Sequence, residues 1–578
     1  MSGRKMYSAV IFSTALLAMA ATAMAGETGG IQGITALATV EVDGAKAYAI
    51  AVEYGTDLTG AQVSADTFEV WNYAMDLADS CELGSNPAAV TAVYVNDEAE
   101  VSGEGGSGSG NYVIIELNTD YQLARANAYY LSMASGVKQV ADITADAGVI
   151  AASDEETVNY EEYTYVDRKP TGEEEEKTEY RAVSGGYQIK EVDRYTIDVF
   201  HAADCFEEAT GETVDVDLDY ALFVPEDYDE ANKYMMVLQI EDAGALSNDA
   251  MVALTEAKTP VALISDDIQN YAKELGYGGV IVLVPQITEE LRSTRDNYTV
   301  SAAVQATWQL VDSVVEEYNI DTDRIFGTGQ SMGGMQVVEM AAQRDNFFAA
   351  LMPVGCQWGN NYNKEVEYRG SAYYPTPVDD VYVWSKDADG NDCDYQNWYY
   401  MVSDDNILCV NCADDSFSTT VWKEFALLYS DLTGVEIPYA NWNPLETDVE
   451  TQNANLEALT ASENETGIYW AAFEGGNHMA TWVYADKVDA IYYWLLSQTR
   501  ESEMERGKIA CLANDFEYAD EQLTTEDRVI AEEDGVTAYF VTGKEGAGTA
   551  GYNSGQYDMN GGMPQRSPGW TPESITAD

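Results

Sequence analysis

Short runs of alternating apolar and polar positions dominate the chain from Ile31 to about Ile150. Ala36–Val42, Ala47–Tyr54, Val90–Val95 and Tyr112–Leu117 are rich in β-branched and aromatic residues and are bounded by turn-forming ones. A period of two sends successive side chains to opposite faces of a strand, so this stretch predicts an all-β sandwich. The Gly/Ser-rich segment from Gly103 to Gly110 lies between two such runs and reads as a long hairpin connection. Between Ala151 and about Lys190 the chain turns polar and acidic. Its run of carboxylates from Glu173 to Glu176 resists burial and predicts a solvated loop in a boundary zone.

After Val199 the rhythm changes. Tyr220–Val224, Met235–Ile240, Val280–Val284, Arg324–Gly327, Ala350–Val354, Trp398–Val402 and Ile468–Phe473 read as strands. Helical spacing fits Val300–Tyr318, Gly333–Arg344, Thr419–Leu432 and Tyr484–Gln498 between them. Nearly continuous apolar strands alternating with helices predict an α/β unit, a mostly parallel sheet with helices on both faces. Gly546–Asp578 is rich in Gly, Asn and Ser and predicts a disordered tail.

The first residues change the reading of the N-terminus. Arg4 and Lys5 precede an apolar stretch, Ala9–Met19, and then Ala23-Met24-Ala25 before Gly26, the pattern of an export signal cleaved near Gly26. The expected organisation is therefore a signal peptide at 1–25, the β-sandwich at 31–150, an acidic connecting region at 151–198, the α/β unit at 199–505 and a C-terminal extension at 506–578. The expected location is outside the cell.

The chain of 578 residues carries 29 Lys and Arg against 100 Asp and Glu, a formal net charge of −71. Nucleic-acid backbones and anionic membranes are bound by Lys and Arg that displace counterions, so this balance argues against both as partners. Seven cysteines are too few for a disulfide-built scaffold of this size. Cys409 and Cys412 form a CxxC with no second pair or His partner, for which a local bridge is the expectation over zinc.

The strongest chemical signal is Gly329-Gln330-Ser331-Met332-Gly333-Gly334, with a strand before the serine and a helix after it. A sharp strand-to-helix turn holds a serine hydroxyl out from the sheet edge, and its neighbours must lack Cβ atoms for the turn to close. The hydroxyl needs a base to become nucleophilic. Of the two histidines, His201 precedes the serine near the domain boundary, whereas His478 follows the last expected strand. The order serine, acid, histidine makes His478 the base and leaves His201 an ordinary side chain. The acid should follow a strand between them. With Trp398–Val402 as that strand, Asp405 is the first candidate, then Asp404, then Asp414 or Asp415. Oxyanion donors are expected from the amide of Met332 and from Ala243 or Asp242, in the loop after Met235–Ile240. Asp387–Asp392 has closely spaced oxygen ligands but lacks the order of a calcium loop, and reads as a hydrated turn.

With these residues in view, the region from Val199 to Arg500 resembles the secreted esterases related to polyhydroxybutyrate depolymerases and feruloyl esterases, within the α/β-hydrolase superfamily. The similarity rests on Tyr220–Asp229, Tyr318–Ile325, Gly329–Gly334 and Trp494–Gln498. Gly33–Leu117 looks like the Ig-like domain that precedes some of these esterases. The resemblance implies carboxylic ester hydrolysis through a Ser-His-Asp triad and an acyl-enzyme. It requires no metal or organic cofactor. The partner it implies is a small-molecule or polymeric ester, with the Ig-like domain available for self-association. A serine peptidase and an inactive binding module are the competing readings. One departure stands out. The family usually carries His-Gly after the strand that supplies the oxyanion amide, and this chain carries Glu241-Asp242, two carboxylates that would oppose an oxyanion unless they point away.

Overall fold

The computed structural model describes residues 29–76, 82–119, 129–168, 174–356, 402, 405–500 and 529–539. Within these spans, positions 104, 184, 208–210, 248, 289–290, 292–300, 345–346, 416–417, 419–421, 423–424, 427–434, 463–466, 477 and 534–535 are excepted. The signal peptide, the acidic loop at Asp387–Asp392, Asp404, most of Thr419–Leu432 and nearly all of the C-terminal extension lie outside the described residues.

The N-terminal part is two facing sheets. One, of five strands, runs Tyr187–Gln188, Ile31–Glu41, Gly44–Tyr54, Tyr112–Leu117, Val90–Asn96 in spatial order. The other, of four, runs Thr157–Val158, Tyr129–Gln139, Phe68–Asp76, Glu82–Pro87. Alternation does the work expected of it: Ile34, Ala36, Ala38 and Val40 of one strand all point into the same buried cluster. The Gly103–Gly110 segment joins Val90–Asn96 to the antiparallel Tyr112–Leu117 as a long hairpin loop.

The acidic boundary is not a loop throughout. Tyr160–Arg168 and Glu174–Ala182 pair as an antiparallel hairpin that takes in Glu174, Glu175 and Glu176. The register sets Arg168 opposite Glu174, Asp167 opposite Glu175 and Glu161 opposite Arg181. A carboxylate run read alone does not reveal the strand that pairs with it.

The second unit is built on nine strands, here β1 (Thr196–Glu207), β2 (Glu212–Phe223), β3 (Tyr234–Ile240), β4 (Val280–Pro285), β5 (Ile320–Gln330), β6 (Ala350–Val354), β7 (Ile407–Cys412), β8 (Tyr439–Trp442) and β9 (Ile468–Phe473). Their order in the sheet is β1-β2-β4-β3-β5-β6-β7-β9-β8. The β1/β2 and β2/β4 pairings are antiparallel and every other pairing is parallel. In β3, Met235 and Val237 enter one buried cluster while Met236, Leu238 and Ile240 enter the other. Both faces are covered, which is why the strands read as continuous apolar runs.

The helices are α1 (Met251–Thr255), α2 (Thr259–Leu263), α3 (Asp266–Glu274), α4 (Ala302–Glu317), α5 (Met332–Gln343), α6 (Val449–Thr460), α7 (Ala480–Ala485) and α8 (Ala490–Ser497). α4 and α5 pack on one face of the sheet; the others that reach it pack on the opposite face. Arg344, just past α5, clamps it to α4 through two contacts to Asp312 of 2.6 and 2.8 Å, with its guanidinium 3.9 Å over the Trp308 ring. The single helix expected over Tyr484–Gln498 is two, α7 and α8, with a turn between them.

The strand expected at Trp398–Val402 lies almost wholly outside the described residues, and among those described the sheet strand that follows β6 is β7, Ile407–Cys412. Cys409 and Cys412 both sit in it without a disulfide between them, and the local bridge is corrected accordingly. Residues three apart in a strand face opposite ways, and these two enter different clusters.

The two units meet through Tyr187–Gln188, which pairs in parallel with Ile31–Glu41, and through the turn Val192–Arg194 that follows. There Arg194 donates to the carbonyl of Ile264 at 2.9 Å and Tyr195 donates to that of Pro260 at 2.8 Å. Among the described residues, no helix is long and apolar enough to cross a membrane.

Candidate active site

Four loops at the carboxyl edge of the central strands converge. They follow β3 (Glu241–Ala245), β5 (Ser331), β7 (Ala413–Asp415) and β9 (Glu474–His478). In parallel sheets this edge is where ligands are received, because all the strand-to-helix turns open there.

Ser331 ends β5 and caps α5 with φ of 49° and ψ of −112°, a left-handed backbone for a residue with a Cβ. Strain of this kind survives only where surroundings fix it. Here the Ser331 amide donates to the Val354 carbonyl at 2.8 Å, and the Met335 amide donates to the Ser331 carbonyl at 3.0 Å, starting the helix. The glycines make the bend possible. A Cβ on Gly329 would overlap the backbone of Gly333, and one on Gly333 would overlap the Ile240 carbonyl. The contact at Gly333 also brings the exit of β3 against the first turn of α5. The amide of Met332, in that turn, has no acceptor within the helix and lies at its positive end.

The imidazole of His478 is 1% exposed and sits between two side chains. Its Nδ1 is 2.7 Å from Asp415 Oδ2 and its Nε2 is 2.8 Å from Ser331 Oγ. An ionised carboxylate only accepts, so Nδ1–H donates to Asp415 and the serine hydroxyl donates to Nε2. Ser418 Oγ donates to the same Asp415 oxygen at 2.6 Å, and Trp482 stands edge-on to the imidazole with centroids 5.5 Å apart. Burial works against the imidazolium. The Asp415 charge and hydrogen bond, helped by the charge of Asp242, outweigh it and raise the His478 pKa above the ordinary 6.5.

The first candidate for the acid is not the carboxylate that meets the imidazole. Asp405 precedes β7 at the amino edge of the sheet, a six-residue strand away from His478, on the order of 20 Å at the usual rise. Asp415, the last alternative in the sequence, follows β7 at the carboxyl edge. Asp414 is its neighbour in the turn, and Asp404 lies outside the described residues. His201 lies on β1, the outermost strand of the sheet, exposed and paired with Asp217 at 2.6 Å.

The two carboxylates after β3 behave differently. Glu241 turns toward the exit of β4, on the side of β3 away from β5. Its Oε1 accepts from the Ile287 amide at 2.5 Å and from Gln286 Nε2 at 3.3 Å. Burial pushes its pKa up to about 8 against the pull of the Ile287 amide, so the protonated, uncharged form predominates at neutral pH. Asp242 accepts from the Gly244 amide at 2.5 Å, which curls the loop and sets Ala243 at its tip.

Sequence reasoning missed a second buried group behind the serine. Gln330 Nε2 donates to Thr259 Oγ1 at 3.0 Å. Thr259 in turn donates to Asp486 Oδ1 at 2.8 Å, and Tyr492 reaches the same oxygen at 2.5 Å. Nothing in the residue pattern distinguishes Asp486 from the other acids until α2 and α8 are packed together. Among the described residues, no group of three or more His, Cys, Asp and Glu could hold a metal ion.

Comparison with known proteins gives the following. Residues 33–185 match the family described as the esterase Ig-like N-terminal domain. The chain is 31% identical over 115 residues to a bifunctional acetylxylan esterase/xylanase from Neocallimastix patriciarum, a match covering 19% of this chain and 15% of that protein. Solved structures include a thermostable esterase, 18% identical, covering 81% of this chain and 100% of that one with a TM-score of 0.46. A ferulic acid esterase from Anaeromyces mucronatus is 13% identical, covering 53% and 90%, with a TM-score of 0.29.

Proposed function

We propose that this protein is a secreted serine esterase of the α/β-hydrolase fold, cleaving carboxylic esters through Ser331, His478 and Asp415. The single observation that carries the reading is the relay from hydroxyl through imidazole to carboxylate, with contacts of 2.8 and 2.7 Å, at the carboxyl edge of a mostly parallel sheet. The match of residues 33–185 to a domain that precedes esterases is independent support. Export is supported by the pattern at residues 1–25.

In this mechanism His478 Nε2 takes the Ser331 proton as Oγ attacks the ester carbonyl. The resulting oxyanion is held by the amides of Met332 and Ala243, with that of Asp242 beside them. The imidazolium, stabilised by Asp415, gives its proton to the departing alkoxide, which leaves as the alcohol. Water then attacks the acyl-enzyme with His478 again as base, and the carboxylic acid and free serine are released. No step needs a metal or organic cofactor.

The test is a fluorophosphonate reaction on the full chain followed by parallel nitrophenyl-ester and peptide panels. The expected result is a single phosphonate adduct on Ser331 and turnover of esters but not of peptides. Peptide turnover at comparable rates assigns a peptidase instead, and absence of any adduct leaves only a binding role. Because the base must be neutral to act and its pKa is raised, kcat/KM should fall with decreasing pH through an acid limb lying above 6.5. A profile flat down to pH 5.5 would remove His478 as the base.

A further inference from the structure

The exit of β3 is gripped from two sides. Gly333 presses on the Ile240 and Glu241 carbonyls from the helix that follows the nucleophile. On the other side the Glu241 side chain reaches to the segment after β4. Gln286 completes that attachment: its Nε2 also donates to the Ala245 carbonyl at 2.9 Å, and its Oε1 accepts from the Ala253 amide of α1 at 2.9 Å. Ser247 closes the loop by donating its amide to the Ile287 carbonyl at 3.0 Å. The segment from Glu241 to Ser247, with Ala243 at its tip, is therefore fixed at its start by one carboxyl group and at its end by a backbone bond.

We propose that Glu241 is a positioning residue: an uncharged carboxylic acid that ties the loop to Gln286 and Ile287 and so holds the oxyanion-binding amides in place. The inference rests on the esterase reading above. Glu241 is fully buried, and its Oε2 has no hydrogen-bond partner among the described residues. An ionised carboxylate with one unsolvated, unpaired oxygen is costlier to bury than a neutral carboxyl whose O–H lacks an acceptor. The groups packed on it are uncharged: Ile287 and Gln286 from the β4 exit and Gly333 from α5. The charged group bearing on it is Asp242, whose own charge acts on His478. Among the described residues, the charge acting on Glu241 is that of Asp242, which opposes a second negative charge there.

The role has two consequences. Ionisation of Glu241 above about pH 8 would put a buried negative charge on the loop that carries the oxyanion-binding amides, so kcat should decline on the alkaline side. Loss of the side chain should lower kcat with little change in KM, because the amides matter most in the transition state.

Glu241→Gln and Glu241→Ala test this in the full-length protein, with kcat and KM for a nitrophenyl acetate followed from pH 6 to 10 and fluorophosphonate labelling run alongside. Glutamine keeps the shape and donor-acceptor pattern of the protonated acid. E241Q should lower kcat no more than about threefold at pH 7 and lose the alkaline decline. E241A should lower kcat by about 100-fold, in the range for a lost oxyanion donor, with KM within about threefold. A labelled wild type whose E241Q variant retains the alkaline decline overturns the inference alone, as does an E241A variant with wild-type kcat. If E241A fails to fold, the E241Q profile decides. A wild type that neither labels nor hydrolyses esters overturns the esterase reading and this inference with it.

Discussion

Replacing Ser331 with alanine is expected to lower kcat for ester hydrolysis by about a million-fold and to leave the fold intact. The size follows from how such groups act: nucleophile and base form one unit, and removing either forfeits nearly all the covalent route, about 8 kcal/mol of barrier. What remains is the slow attack of water aided by the oxyanion amides. The fold should persist because what holds the bend is backbone. The Ser331 amide and carbonyl keep their partners at Val354 and Met335, and the glycine contacts at 329 and 333 are untouched. The measurement is single-turnover hydrolysis of a nitrophenyl ester by the variant, with circular dichroism and a melting curve as controls. A folded variant retaining even one percent of the rate would show that another nucleophile does the work.

Asp415→Asn should lower kcat by about 10,000-fold, the loss expected when the group that fixes the imidazole tautomer becomes an amide. An asparagine can present its NH2 to Nδ1, which forces the proton onto Nε2 and leaves no lone pair facing Ser331. The buried Ser418 hydroxyl would also exchange a charged acceptor for a neutral one. Asp405→Asn is the matched control, at the other end of β7, and should change kcat less than about threefold. Rates of fluorophosphonate labelling for the two variants give the same comparison without a leaving-group step. A large loss in Asp405→Asn with a small one in Asp415→Asn would reverse the assignment of the acid.

That pair of variants also marks where the sequence stopped being readable. The hydroxyl and imidazole that meet at 2.8 Å are the ones the glycine pattern and chain order single out, because a bend so tight leaves a signature in its neighbours and because only two histidines exist. The acid has no such signature. It is one of 100 carboxylates, and its place depends on which of two apolar runs is the sheet strand. Trp398–Val402 has the aromatic composition of a strand, yet it is Ile407–Cys412 that pairs with β6 and β9, and moving the strand nine or ten residues along moves the expected acid from Asp405 to Asp415. Glu241 was conspicuous as a departure, but whether a carboxylate opposes or assists an oxyanion depends on burial and partners that come from β4, about 45 residues away. Runs of apolar residues located β3, β4, β6 and β9 closely. The edge strands β1 and β8, half exposed and polar, carry no comparable pattern.

The seam between the two units bears on how such a chain can be rebuilt. Arg194 and Tyr195 rest on carbonyls of Ile264 and Pro260, and the residue before that proline, Thr259, is the one that Gln330 grips beside Ser331. A graft that exchanges the front module but cuts after Tyr195 swaps the struts beneath the serine along with it. One that cuts before Tyr187 leaves them standing. The interchangeable part therefore ends before the point where the sandwich hands over to the larger sheet, and the last nine residues of the connection belong, in mechanical terms, to the machinery behind them.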